Sequence, residues 1–176
     1  MKSVLISIQP RWCDLIARRK KTVEVRKTKP KFEVPFKVYI YCTNDKKGWF
    51  DFGKKERLDG KVIGEFVCDY VSIFRPKSLT CESAIKKASC LTVQGLIDYA
   101  GNKNHIFGWH ISDLVIYNKP KVLNEFISNK ALSYEDWLYG VYSGGSGSKG
   151  NYNSYLNAFK LKRPPQSWCY VKEEEK

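Results

Sequence analysis

The stretch from Lys21 to Arg26 places acidic and basic side chains where they can act together. Lys21 lies at a turn, and the residues that follow alternate with a period of two, which is typical of a β-strand. Thr22, Glu24 and Arg26 therefore share one face of that strand. A lysine beside a carboxylate can serve as an acid–base pair, and an arginine can hold a phosphate. We expect Lys21 and Glu24 as catalytic candidates, and Thr22 and Arg26 as ligand contacts.

Glu65 is a lone carboxylate in a strongly apolar strand pattern. It shares a face with Ile63 and Val67, which we expect to be largely buried. Because a buried carboxylate needs a partner, we expect Lys21 or Arg26 to supply one. The alternative is a glutamate on an edge strand that faces water. Glu65 is our third catalytic candidate.

A short helix before Lys21 must bring these side chains together. Pro10 suits its first turn, because the missing N–H would have no partner there. Trp12 and Leu15 lie at helical spacing and can face a core. Arg18 and Arg19 near its end have the sign that the helix dipole favours.

These residues resemble the opening signature of ASCH domains, which belong to the PUA-like superfamily. The matching stretches are Ile8-Gln-Pro-Arg-Trp12, Leu15-Ile16 and Lys20-Lys-Thr-Val-Glu-Val-Arg26. The usual pattern there is Gly-x-Lys-x-x-x-x-Arg, and Lys21 and Arg26 match it. Arg19 replaces the glycine, which predicts a turn of different shape. Residues 108–114 and 163–168 resemble segments of longer phage and bacterial ASCH proteins.

The resemblance implies an α+β fold, a small PUA-like β-barrel with short flanking helices and a cleft beside the first helix. Strands with interposed short helices, without regular βαβ alternation, also predict the α+β class. We expect residues 1–176 to form a single domain. The resemblance is weak at about residues 130–160, where we expect a helical and flexible insertion.

The resemblance also implies function, and three alternatives stay open. The first is binding of RNA or a modified nucleotide through a basic cleft. The second is a small hydrolase, either similar to N4-acetylcytidine amidohydrolases or a ribonuclease that uses Lys21 and an acidic partner. Amidohydrolases of this type have a threonine three residues after the motif lysine, where this chain has Glu24. The third is a surface ion network of Lys21, Glu24 and Arg26 that only pins the helix to the strand.

For the first alternative, phosphate contacts and stacking surfaces can be named from the sequence. The expected phosphate contacts are Arg18, Arg19, Lys20, Lys21, Arg26, Lys27, Lys29 and Lys31. The expected stacking residues are Trp12, Trp49 and Trp109. For these aromatic residues the alternative is packing in the core, and for the lysines it is a merely solvated loop.

Charge favours a polyanionic partner. The net charge is +13, from 31 basic and 18 acidic residues, and eleven of the basic but only three of the acidic ones precede residue 38.

The six cysteines contain no C-x-x-C pair, and only two histidines accompany them, so we expect no metal and no cofactor. We also expect no signal peptide, no membrane partner and a reducing, cytoplasmic setting with free thiols.

The periodicity predicts most of the remaining elements. The expected strands are residues 3–8, 36–43, 61–71, 106–117 and a terminal strand from Cys169. The expected helices are residues 78–87, 93–100 and 133–142, and residues 143–150 form an expected flexible link. Residues 151–161 have no clear pattern.

Overall fold

Nine strands, five α-helices and one short 3-10 helix (Leu123–Glu125) are present in the parts of the chain that the computed structural model describes, which are residues 1–44, 58–76, 82–141 and 149–173. The strands are β1 (Ser3–Ile8), β2 (Val23–Arg26), β3 (Phe36–Cys42), β4 (Lys61–Cys68), β5 (Val71–Phe74), β6 (Ile106–His110), β7 (Ser112–Lys121), β8 (Phe126–Ser128) and β9 (Trp168–Glu173). The helices are α1 (Pro10–Ala17), α2 (Glu82–Ser89), α3 (Val93–Ala100), α4 (Tyr134–Val141) and α5 (Lys149–Phe159).

Six strands form the larger sheet, in the order β7-β4-β3-β1-β9-β8. Strands β1 and β3 are parallel, and the other neighbours are antiparallel. The central β1 is apolar on both faces: Val4 and Ile6 pack with α1, and Leu5 packs on the opposite side with Phe126. A strand buried on both faces shows little alternation, which is why its sequence pattern is weak.

The remaining strands form a smaller sheet in the order β2-β6-β5. Trp109 of β6 is completely buried against the larger sheet, and its ring meets Phe36 edge-on with 5.4 Å between centroids. The other face of the small sheet packs Val25 and Ile106 against Leu96 of α3. The site strand β2 therefore lies between α3 and the larger sheet.

The α+β class is confirmed, but the barrel is not. The described strands form two separately hydrogen-bonded sheets, and no closed barrel is present among them. The expected strands 61–71 and 106–117 each break in two, because β4 and β7 pair in the large sheet while β5 and β6 pair in the small one. Our prediction of two continuous strands was wrong, since alternation does not show where a chain changes sheets.

Close packing explains Gly64. A Cβ at this position of β4 would collide with the backbone oxygen of Val115 on β7. Glycine at this position therefore lets the backbone of the neighbouring strand approach closely.

Most helix predictions are confirmed. Pro10 begins α1, and Thr92 caps α3 by accepting a hydrogen bond from the backbone N–H of Gly95 at 3.0 Å. Ser133 caps α4 through the N–H of Asp136 at 3.1 Å. The described part of α2 is Glu82–Ser89, and residues 78–81, where the expected helix starts, lie outside the described residues. None of the described helices is long and apolar enough to cross a membrane.

Helices α4 and α5 lie where we expected an insertion. They connect β8 to β9, which are antiparallel neighbours, so this helical pair is an excursion between adjacent strands. Aromatic side chains pack between the two helices. The ring centroids of Trp137 on α4 and Tyr152 on α5 are 5.5 Å apart. Helix α5 was not predicted, and the expected flexible link falls mostly on residues 142–148, outside the described residues.

Candidate functional site

Lys21, Glu24 and Arg26 form one buried ion cluster. The Glu24 carboxylate is 3.3 Å from Lys21 Nζ and 3.0 Å from an Arg26 terminal nitrogen. The three residues are only 3%, 6% and 8% exposed. They are therefore not the surface network that formed our third alternative. Two cations against one carboxylate leave a surplus positive charge inside the protein, where charges are costly unless they are paired.

Lys21 is held from three sides. Its Nζ donates to the backbone oxygen of Ser89, at the end of α2, at 2.8 Å. The same nitrogen lies 5.3 Å from the centre of the Trp12 ring, within the range of a cation–π contact. Helices α1 and α2 thus position the lysine at the start of β2.

Arg26 reaches across to the larger sheet. One terminal nitrogen donates to the backbone oxygen of Ser7 at 2.7 Å, and the other to Ser167 Oγ at 3.5 Å. Its Nε is buried without a partner in the described structure. An unpaired buried donor is unusual in a folded protein, because desolvation costs about 1–3 kcal/mol for such a group.

The turn into β2 contains a residue with left-handed backbone geometry. Arg19 adopts φ +57°, the left-handed region that favours glycine. A terminal nitrogen of its side chain donates to the backbone oxygen of Leu114 at 3.3 Å. Arg19 therefore holds a conformation that a glycine would adopt at lower steric cost, and the prediction of a turn shaped differently from that of the family stays a prediction.

Titratable side chains surround the cluster. Burial raises the pKa of the Cys13 thiol well above its ordinary value, and contacts with Cys42 add to that shift. Burial also raises the pKa of Tyr99, although the nearby Arg26 opposes the change. Both groups are therefore neutral at pH 7. Among the described residues no three His, Cys, Asp or Glu side chains are placed to hold a metal ion.

Glu65 lies elsewhere, which corrects our expectation of its partner. Its carboxylate is 2.8 Å from Lys37 Nζ and accepts a hydrogen bond from the Tyr117 hydroxyl. It is on β4, between β3 and β7, so it is not on an edge strand. Partners on neighbouring strands satisfy it, and neither Lys21 nor Arg26 is needed.

The residues predicted to contact nucleic acid differ in how exposed they are. Arg18, Arg19, Lys20 and Thr22 are exposed around the turn, and Trp12 is half-buried beside Lys21, with Arg11 stacked on its ring at 4.4 Å. The loop cations Lys27, Lys29 and Lys31 are exposed.

Trp109 has no ring face open to a ligand, because it is completely buried. We leave it out of the interface. Trp49 lies outside the described residues.

Sequence reasoning missed several partners of the cluster. Ser7, Ser89, Tyr99 and Ser167 come from four separate elements or loops. Residues 163–168 resembled a segment of ASCH proteins, but that resemblance did not indicate that Ser167 contacts Arg26. The structure places this segment against β1, where Ser7 donates to the backbone oxygen of Pro165 at 2.6 Å.

Comparisons with solved structures agree on the fold. The chain is similar to the crystal structure of ASCH from Zymomonas mobilis, with TM-score 0.59 and 19% identity over 97% of this chain and 88% of that one. Two mutant structures of the same protein, a Tyr-to-Phe and a Ser-to-Ala substitution, match with TM-score 0.60 and 19% identity. They cover 98% and 97% of this chain and 91% and 89% of theirs.

No protein-family model matches the chain, and no curated protein matches it in sequence. The structural likeness extends over nearly the full length of both chains and does not depend on the motif stretches alone. It confirms, at the level of the fold, the resemblance that the motifs indicated. This chain has the fold of an ASCH domain protein.

Proposed function

We propose that this chain binds RNA or a modified nucleotide through the region around the Lys21–Glu24–Arg26 cluster. The single observation that carries the proposal is the surplus positive charge of this buried cluster. An anionic group of a ligand bound beside the cluster would offset that charge. The motif resemblance to ASCH domains implies the same class of ligand, and the likeness to ASCH structures supports the fold on which that resemblance depends.

The exposed cations around the turn supply the longer-range attraction. Arg18, Arg19 and Lys20 are exposed at the end of α1, directly before Lys21 in the chain. The loop after β2 adds Lys27 and two further exposed lysines. Exposed cations contact phosphates without reading sequence, so they would steer and hold a polyanion while the cluster takes its anionic group.

A binding titration at several salt concentrations tests this proposal. We expect a fluorescent 15-nucleotide RNA to bind, with affinity falling steeply from 50 to 200 mM salt. The double variant Arg18→Gln/Lys20→Gln should lower the slope of log K against log salt by about 1.4, since each single-strand phosphate contact contributes about 0.7. The matched control Lys103→Gln/Lys119→Gln removes the same charge at exposed positions elsewhere. Failure of RNA and free nucleotides to bind at low salt would refute the proposal.

A hydrolase remains the second candidate, because Lys21 and Glu24 are in contact. A buried lysine 3.3 Å from a carboxylate is an arrangement that can exchange a proton. The acid beside Lys21 is Glu24, so a catalytic pair would not involve Glu65. Product formation from RNA or N4-acetylcytidine, lost in Lys21→Met while the fold is kept, would favour this candidate over simple binding.

A further inference from the structure

A groove separate from the ion cluster lies between the larger sheet and the helical pair. It has a volume of about 1570 Å³. Residues of β1, β3, β8 and β9 line it on the side of the sheet, and Leu156 lines it on the side of the helical pair. We call four aromatic residues of the lining its aromatic wall, namely Phe32, Tyr134, Tyr152 and Tyr170. We call it the β9–α5 groove. Its volume exceeds the 300–1,000 Å³ that is usual for a small-molecule site, so it suits a longer ligand.

The charges on this groove have one sign. Lys2, Lys31 and Lys172 line it, and all three are exposed. No aspartate or glutamate is among the described residues of the lining. A groove with this lining attracts a polyanion and repels a basic segment of protein.

Aromatic rings lie among the lysines and are already fixed. Phe32 packs against Tyr170 with 5.2 Å between ring centroids, and Lys2 Nζ lies 5.8 Å from the centre of the Phe32 ring. The Tyr170 hydroxyl accepts a hydrogen bond from the backbone N–H of Lys31 at 2.9 Å, and the Tyr152 hydroxyl donates to the backbone oxygen of Leu132 at 2.8 Å. Fixed rings lose little conformational freedom when a base stacks on them.

A basic loop connects the groove to the ion cluster. Residues 27–31 run directly from Arg26 to Lys31, and this loop is tied to β9 by the hydrogen bond from Trp168 Nε1 to Thr28 Oγ1 at 3.0 Å. The lysines of this loop therefore extend from the ion cluster at one end to the β9–α5 groove at the other. A chain of nucleotides held at the cluster could continue along this loop into the groove.

We propose that the β9–α5 groove binds single-stranded nucleic acid, with phosphates on its three lysines and unpaired bases against its aromatic wall. A lysine-lined groove with aromatic side chains is the arrangement that binds single strands without sequence preference. Unpaired bases are required, because bases inside a duplex have no free face. The inference rests on the proposed function for its class of ligand and adds a second contact region.

The test uses the full chain and two fluorescent probes, a 15-nucleotide oligo-uridine RNA and the same sequence in a duplex. The variant Lys2→Gln/Lys172→Gln should weaken single-strand binding and lower its salt slope by about 1.4, while Phe32→Leu should weaken it by about 10-fold. Lys31 is kept in this variant, because the basic loop also serves the ion cluster. The matched control is Lys103→Gln/Lys119→Gln, which removes two exposed lysines elsewhere. Because Lys2 and Lys172 are exposed, their variant should keep its melting temperature.

The outcomes separate the groove from the ion cluster. If Arg18→Gln/Lys20→Gln weakens binding but the groove variant behaves like its control, the groove proposal is overturned and the proposed function stands. If the groove variant weakens duplex as strongly as single strand, the groove is not a single-strand site. If it changes only self-association in sedimentation, the groove holds a second copy of the chain and the proposal also fails.

Discussion

Arg26 donates to the backbone oxygen of Ser7 at 2.7 Å and thereby ties the small sheet to the large one. Ser7 lies near the end of β1, and Arg26 ends β2. The same guanidinium neutralises Glu24 and reaches Ser167 in the segment before β9. One side chain therefore joins three parts of the chain that are distant in sequence, so the candidate site and the contact between the sheets share a residue.

Arg26→Gln should destabilise the protein. It breaks a buried ion pair and the bridge to Ser7, and it leaves Glu24 with Lys21 alone. Because Lys21 still neutralises Glu24, the cost comes mainly from the Ser7 backbone oxygen, which loses its donor, at about 1–3 kcal/mol. Urea unfolding gives the loss of free energy. Arg18→Gln is the control, because its pair with Asp14 at 2.7 Å is exposed and should contribute less than about 1 kcal/mol. Equal, small effects in both variants would show that the bridge adds no stability.

Arg19→Gly should be more stable than Arg19→Ala. Both variants lose the same hydrogen bond to Leu114, but only glycine accepts φ +57° without steric cost. Alanine in the left-handed region costs about 1–2 kcal/mol, and the greater freedom of glycine in the unfolded chain offsets part of this difference. Thermal unfolding of the two variants measures it. An alanine variant as stable as the glycine variant would contradict a left-handed turn at this position.

Glu65→Gln should leave nucleic-acid binding and any turnover unchanged. Glu65 is paired with Lys37 and Tyr117, away from the ion cluster, and its carboxylate does not contact Lys21. Stability should fall modestly, because Lys37 is partly exposed and loses its ion pair. RNA binding and unfolding are measured on the same sample. Loss of turnover in a folded Glu65→Gln variant would restore the carboxylate to the catalytic set.

Cys13, Cys68 and Cys169 should react slowly with iodoacetamide in the folded protein at pH 8. Burial raises the pKa of Cys68 to about 12 and that of Cys169 to about 11, and it raises the pKa of Cys13 well above its usual range. The thiolate is the reactive form, so a raised pKa leaves little of it at pH 8. Peptide mass spectrometry measures labelling at each site. All six cysteines should label in urea, and rapid native labelling of Cys13 would contradict its burial.

The raised pKa values of these buried thiols also determine whether the free energy of unfolding rises or falls with pH. A thiol with a raised pKa in the folded state keeps its proton there after the unfolded chain has lost it. Its contribution is complete below the unfolded pKa of about 8.5 and is lost as pH rises through the folded value. Unfolding free energies should therefore fall above pH 8.5, and the fall should be shallower in Cys169→Ala, which lacks one of these thiols.

The sequence determined the local features of this protein. Alternation placed Glu24 and Arg26 on one face of β2, and cap residues located the starts of α3 and α4, because these signals depend on near neighbours in the chain. The motif around Lys21 and Arg26 was sufficient by itself to indicate the ASCH fold. The excess of lysine and arginine before residue 38 indicated the polyanionic class of partner that we propose.

Only the tertiary structure decided which of these residues meet. Glu65 looked like a partner for Lys21, yet strand order gives it Lys37 and Tyr117. Trp109 looked like a stacking surface, yet it fills the space between two sheets. The bridge from Arg26 to Ser7 and the β9–α5 groove depend on segments far apart in sequence. Hydrophobic periodicity and local charge can be read from residues that are neighbours in the sequence. Which side chains contact each other, and where a groove forms, depends on how distant elements pack together, and periodicity does not show that.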